Sequence, residues 1–158
     1  MNEQLGLELS GATRPHRNLA LWFDGASRGN GQPGARASVG GLVRDADTGE
    51  VLAEVSTVIG EETNNVAEYQ ALLETLRCAN AFGADTLRVH GDSALVINQL
   101  RGEWKVKAPH LHPLIRSVRD AVRGYQQVEF VHVRREHNRE ADALANQALD
   151  ATDEGADR

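Results

Sequence analysis

Cysteine, positive charge and long apolar runs are all scarce in this chain of 158 residues. The single cysteine, Cys78, excludes an internal disulfide and any thiolate metal cluster, and its setting in "LETLRCANAF" reads as a small buried side chain. A net charge of −6 argues against binding nucleic acid through bulk positive charge, so any such partner must be met by a local patch. Only two lysines occur, Lys105 and Lys107, and both fall in "GEWKVKAPH". No apolar stretch approaches the ~20 residues of a membrane span, so no membrane association is expected. The opening "MNEQLGLELSGATRPHRN" lacks a basic segment followed by an apolar one, which makes the cytoplasm the expected location. The length suits one domain with a real core, and 41% hydrophobic with 25% charged residues is a globular composition.

Periodicity divides what is present. Residues 1–17 are polar and aperiodic and read as a mobile arm; residues 18–150 form the domain; residues 151–158 are an acidic tail. "LALWFD" (19–24) alternates as a strand that ends on an acid. The glycine-rich "GASRGNGQPGAR" leads to "ASVGGLVRD" and, across the turn signal "DADTGE", to "VLAEVSTVIG", which together predict an antiparallel meander. From Val66 the apolar spacing becomes helical, through Tyr69, Leu72, Leu73 and Leu76, until Gly83. "TLRVHGD" (86–92) is a second strand ending on an acid, followed by the short helix "SALVINQL". "HLHPLIRSVRDAVRG" predicts a helix with Pro113 in its first turn. "VEFVHV" (128–133) has little alternation, as a strand covered on both faces would show, and "NREADALANQAL" closes the domain as a helix. The order β-β-β-α-β-α-α-β-α requires parallel crossovers in its second half. The expected fold is therefore an α/β, five-stranded mixed sheet with the first three strands antiparallel and helices on both faces.

Four acids stand out, each with an ordinary explanation. Glu68 completes a capping box with Asn65, Asp24 and Asp92 adjoin glycines as turn residues do, and Asp142 favours a helix dipole near the start of the last helix. Their joint setting is less ordinary. Asp24 shares a strand face with Ala20 and Trp22, Glu68 shares a helix side with Leu72, and Asp142 sits in an apolar-faced segment. Half-buried carboxylates repel one another unless a cation neutralises them, and oxygen ligands without His or Cys at zinc spacing favour Mg²⁺ or Mn²⁺.

"FDGASRGN", "TNNVAEYQALLETL", "VHGDSALVINQL", "GEWKVK" and "REHNREADALANQAL", in this order over roughly residues 19–150, resemble ribonuclease HI of the bacterial and archaeal type. Within that family the chain looks most like the branch lacking a basic protrusion. The resemblance implies a ribonuclease H-like fold and a monomeric, metal-dependent endonuclease that cuts the RNA strand of RNA–DNA hybrids. It matches Asp24, Glu68, Asp92 and Asp142 to a carboxylate tetrad holding two Mg²⁺ or Mn²⁺ ions. Asn64 and Asn65 match a minor-groove pair, Gly25, Ala26, Ser27 and Asn30 would track the RNA strand, and Thr63 and Asn138 join the substrate contacts. Trp104, Lys105 and Lys107 would meet the DNA strand by stacking and phosphate contacts. The plainer alternatives stay open: "NN" as turn residues, and the Trp104 connector as a solvated loop.

Three departures from the family pattern bear on function. The position of a mobile histidine that aids turnover falls at His132, inside the last predicted strand, which leaves Arg135, or alternatively His137, to take its part. The first glycine-rich loop follows a different pattern, and Glu61 stands where relatives often carry a basic residue two before the Thr. A 3′–5′ exonuclease of the same fold is disfavoured because Ala26, not an acid, lies two beyond Asp24. A catalytically silent hybrid-binding module is the remaining alternative, although none of the four acids is lost.

Overall fold

The computed structural model describes residues 16–29 and 32–156. Strand β1 (Asn18–Arg28) pairs antiparallel with β2 (Arg36–Asp45), and β2 pairs antiparallel with β3 (Val51–Gly60). Helix α1 (Asn64–Asn80) then returns the chain to β4 (Thr86–Gly91), which runs parallel to β1 on its other side. Helices α2 (Ala94–Leu100) and α3 (His112–Ala121) precede β5 (Gln127–His132), parallel to β4, and α4 (Arg139–Ala156) ends the fold. The sheet order β3-β2-β1-β4-β5 is the five-stranded mixed sheet expected from the sequence.

Alternation along β1 sorts the two faces. Leu19, Leu21 and Phe23 are fully buried with Val39 and Val43 against Tyr69, Leu72 and Leu76 of α1. On the other face Ala141, Ala145 and Leu149 of α4 are buried. Sheet serines fasten that helix, Ser38 Oγ donating to the Ala145 carbonyl (2.5 Å) and Ser56 Oγ to that of Leu144 (2.6 Å). Helices therefore cover both faces.

Several boundaries differ from the sequence reading. β1 does not stop at Asp24 but runs on to Arg28, because Gly25–Arg28 stay paired with β2 through Arg36–Val39. α1 starts at Asn64, and its cap is Thr63, whose hydroxyl accepts from the Val66 N–H (3.3 Å), so the Asn65–Glu68 capping box does not form. β5 is an edge strand rather than one covered on both faces: Val128 and Phe130 are half-buried, while Glu129 is exposed and pairs with Arg88 at 3.0 Å. The acidic tail continues α4 as far as Ala156. His16 and Arg17 join the body, His16 Nδ1 lying 2.7 Å from Asp45 and the Arg17 carbonyl accepting from Asp85 and Thr86. The rest of the expected arm, residues 1–15, lies outside the described residues, as does Asn30. No helix among the described residues is long and apolar enough to cross a membrane.

Candidate active site

Parallel pairing puts the first two acids together. Phe23 of β1 is in register with Gly91 of β4, so Asp24 and Asp92 follow side by side. The third acid arrives because α1 crosses β1 at Gly25. A Cβ there would lie 2.3 Å from the Ala67 carbonyl carbon and 2.5 Å from the Glu68 nitrogen, so a side chain at this position would push the helix away. With glycine in place, the Glu68 carboxylate reaches the sheet and accepts from the Gly25 N–H. α4 is admitted in the same way on the other face, where a Cβ on Gly40 would lie 2.2 Å from the Ala141 carbonyl oxygen. Gly40 is the register partner of Asp24, which brings Asp142 of α4 to the same spot.

Carboxylate oxygens of Asp24, Glu68 and Asp92 lie within 4.8 Å of one another. Asp142 lies just outside this trio but within hydrogen-bonding reach of Asp24, and its own carboxylate accepts from Asn146 (3.2 Å). Asp24 and Glu68 are only 7% and 8% exposed. Burial first, then the charges of Glu68 and Asp92, pushes the Asp24 carboxyl far above its ordinary range. Burial also pushes Glu68 up to about 7, opposed by the Gly25 N–H, the bond with Asp24 and the charge of Arg135. Two buried acids this close cannot both ionise without a cation. A donor set made only of carboxylate oxygens suits a hard divalent ion, and Asp24, Glu68 and Asp92 would hold it, with Asp142 beside them.

The surrounding residues divide by depth. Asn138, expected to touch substrate, is instead 1% exposed. Its amide nitrogen donates to the Phe23 carbonyl (3.0 Å) and to Asp92 Oδ2 (3.1 Å), because both neighbours are acceptors and a flipped amide would present oxygen to oxygen. It acts as a clamp between β1 and a site acid, and its Oδ1 is buried without a hydrogen-bond partner. Arg135 is exposed in the short turn Arg135–His137, near enough for its charge to act on Glu68. His137 lines a separate recess with Trp22. His132 is exposed at the end of β5, its Nε2 3.3 Å from the Asp92 carbonyl.

Asn64 and Asn65 are exposed at the head of α1, with Gly25, Ala26 and Ser27 half-buried beside them. Ser27 Oγ donates to the Glu62 carbonyl (2.8 Å), and Glu61, the departure from the basic pattern, accepts from the Gly34 N–H (3.0 Å) and so tethers the first glycine-rich loop. Thr63 is half-buried, with its hydroxyl engaged in the cap. From Asn65 a groove runs past Leu95 and Gln99 to Trp104, Lys105 and Lys107. Trp104 is 48% exposed. The connector is anchored from below by a residue the sequence reading passed over. Buried Gln99 accepts from the Tyr69 hydroxyl (2.6 Å) and turns its amide nitrogen to the Lys105 carbonyl (3.5 Å). A glutamine on the apolar side of a short helix was the available signal. The Gly-Gly pair inside β2 was a second missed signal, since glycine within a strand marks a close backbone approach.

The reverse transcriptase-like family profile matches residues 23–148. Ribonuclease HI of Halobacterium salinarum is 41% identical over 145 residues, covering 90% of this chain and 71% of that protein. The chain belongs to the ribonuclease HI family. The crystal structure of RNase H1 from the same archaeon superposes on this ribonuclease H with a TM-score of 0.79 at 42% identity, covering 85% of this chain and 98% of that one. LC11-RNase H1, solved in complex with an RNA/DNA hybrid, gives 0.77 at 35% identity over 85% of this chain and 98% of its own. The bifunctional protein Rv2228c of Mycobacterium tuberculosis is 42% identical over 138 residues, which are 87% of this chain and only 37% of that protein. This ribonuclease H thus spans about a third of that longer relative.

Proposed function

We propose that this ribonuclease H is a metal-dependent endonuclease that hydrolyses the RNA strand of RNA–DNA hybrids and acts as a monomer in the cytoplasm. The observation that carries the reading is the gathering of Asp24, Glu68 and Asp92 within 4.8 Å, with Asp142 in hydrogen-bonding reach of Asp24. A hybrid complex of a relative 35% identical to this chain supports the choice of substrate.

Two Mg²⁺ or Mn²⁺ ions bound by the four carboxylates would supply an activated water and a stabilised leaving 3′ oxygen, giving 5′-phosphate and 3′-hydroxyl ends. The chain's own residues do the rest. Gly25 keeps Glu68 against the sheet, and Asn138 fixes the carboxylate plane of Asp92. Asn64 and Asn65 offer amide donors and acceptors from an exposed helix start, which suits a 2′-hydroxyl that both donates and accepts. Ser27 and the backbone of Gly25 and Ala26 border the RNA-strand side. Trp104 provides an exposed ring for stacking, and Lys105 and Lys107 provide charge for DNA phosphates. Arg135 supplies a positive charge next to Glu68 that assists turnover.

The test is a gel assay with uniformly paired hybrid, duplex RNA, duplex DNA and single-stranded DNA in Mg²⁺ or Mn²⁺. Cleavage confined to the RNA of the hybrid, with near-complete loss in Asp92→Asn, is expected. Equal digestion of single-stranded DNA would refute the reading, and hybrid binding without cleavage would favour a silent binding module.

A further inference from the structure

Positive charge runs from the connector into α3 without an intervening carboxylate. From Trp104 to Arg119 the sequence holds Lys105, Lys107, Arg116 and Arg119 and no acid, in a chain whose net charge is −6. Helix α3 buries Leu111, Ile115 and Val118. That places His112, Arg116 and Arg119, spaced i, i+4 and i+7, on one outward stripe, and all three are exposed.

Pairing separates these arginines from others. Arg44, Arg77, Arg88 and Arg123 are engaged by Glu140, Glu74, Glu129 and Asp120. Arg116 and Arg119 have no carboxylate partner among the described residues, and the nearest acid along the helix, Asp120, is held by Arg123. Two unpaired guanidinium groups on one face of a helix are a phosphate-binding arrangement, since the planar fork matches phosphate oxygens.

The stripe continues from the groove. Leu111, at the foot of α3, lines the groove with Asn65, Lys105 and Lys107. At its other end Asn80 of α1 donates to the Ala121 carbonyl (2.9 Å), so the two helices lie side by side with their N-termini at the same end. Arg119 is close enough to Tyr69 for its charge to act on the phenol. At 1.5 Å per residue the stripe extends about 10 Å, roughly the axial rise of three nucleotides in one strand.

We propose that Arg116 and Arg119, with His112, form a second backbone-binding surface for the RNA–DNA hybrid, continuous with the Trp104–Lys107 connector and contacting phosphates beyond those the connector reaches. The inference rests on the hybrid reading of the site, and its chemistry is that of a polyanionic duplex backbone, read without regard to base sequence.

The experiment measures hybrid affinity by fluorescence anisotropy from 50 to 300 mM salt, with the full chain carrying Asp92→Asn to prevent cleavage. Adding R116Q and R119Q should weaken binding and flatten the slope of log K against log salt by between about 1 and 2, since each lost phosphate contact removes about 0.9. Arg88→Gln removes the same kind of charge from the face of the sheet opposite α1 and should leave the slope unaltered. Unchanged slope and affinity in the R116Q/R119Q protein would overturn the proposal, as would an equal effect from Arg88→Gln, which would mark a general charge effect. Cleavage by the chain without any substitution is scored in parallel. If that chain cuts hybrids and the slope does not move, only the α3 surface falls; if it does not cut them, the hybrid reading falls as well.

Discussion

Replacing Glu68 by glutamine in the metal-free protein is expected to raise its stability at pH 8, although the residue is buried and central. The Glu68 carboxyl is pushed from 4.5 up to about 7, with burial as the largest cause. A carboxyl whose folded value exceeds its unfolded value favours the native state while protonated. Its contribution declines as pH rises past the unfolded value and levels off above the folded one, so the window of loss runs from about 4.5 to about 7. At about 1.4 kcal/mol for each tenfold difference in proton affinity, the cost at pH 8 is about 3 kcal/mol. Glutamine has nearly the same shape, keeps an oxygen to accept from the Gly25 N–H, and has no charge to desolvate. In EDTA, thermal unfolding of Glu68→Gln should match the native protein near pH 4.5 and exceed it by roughly 6 to 12 °C at pH 8, at about 2 to 4 °C per kcal/mol for a chain of this size. Mn²⁺ should then stabilise the native protein far more than the variant, because a ligand that binds only the folded state adds stability that grows with the logarithm of its affinity. A variant less stable than the native protein at pH 8 without metal would refute the reasoning, since it would mean that the ionised carboxylate is not a burden on the apo fold.

Two other outcomes follow from the same structure. Asn138→Ala removes the clamp between the Phe23 carbonyl and Asp92; calorimetry without substrate should show Mn²⁺ affinity reduced by about 10- to 100-fold, whereas a residue that merely supports the fold would lower the melting temperature and leave the affinity intact. Asp45 is held down to about 2 by the bond to His16 first, then the Thr48 N–H and the Asp47 N–H. A depressed carboxylate stabilises above its unfolded value and loses that contribution as pH falls through its folded one. The melting-temperature gap between the native protein and Asp45→Asn should therefore be present at pH 5 and close between pH 4 and pH 2.

Local pattern was enough for much of this protein. Alternation in β1, helical spacing from Val66 and the glycine and turn signals define the elements, because a two-residue or 3.6-residue repeat of apolar side chains is a property of the segment itself. The four acids were identifiable for a related reason. Asp24, Glu68 and Asp142 have apolar neighbours that call for at least partial burial, Asp92 ends a strand beside Asp24, and half-buried charge of one sign calls for a cation.

Burial depth and close approach were not legible in the same way, since they depend on segments far apart in the chain. Thr63 rather than Asn65 caps α1, and that choice frees Glu68 to reach Gly25 across 43 residues of sequence. Asn138 looked like a substrate contact and proved to be a buried clamp, because its two partners come from β1 and from the end of β4. β5 lacked alternation on paper but lies at the edge of the sheet, a position decided by the order in which strands pair. The sequence by itself determined the elements, their order and the acids that call for a metal, whereas tertiary structure alone decided which of them meet. Gly25 and Gly40 let two helices close on opposite faces of one strand pair, and backbone contact between segments that distant cannot be seen until the sheet is assembled.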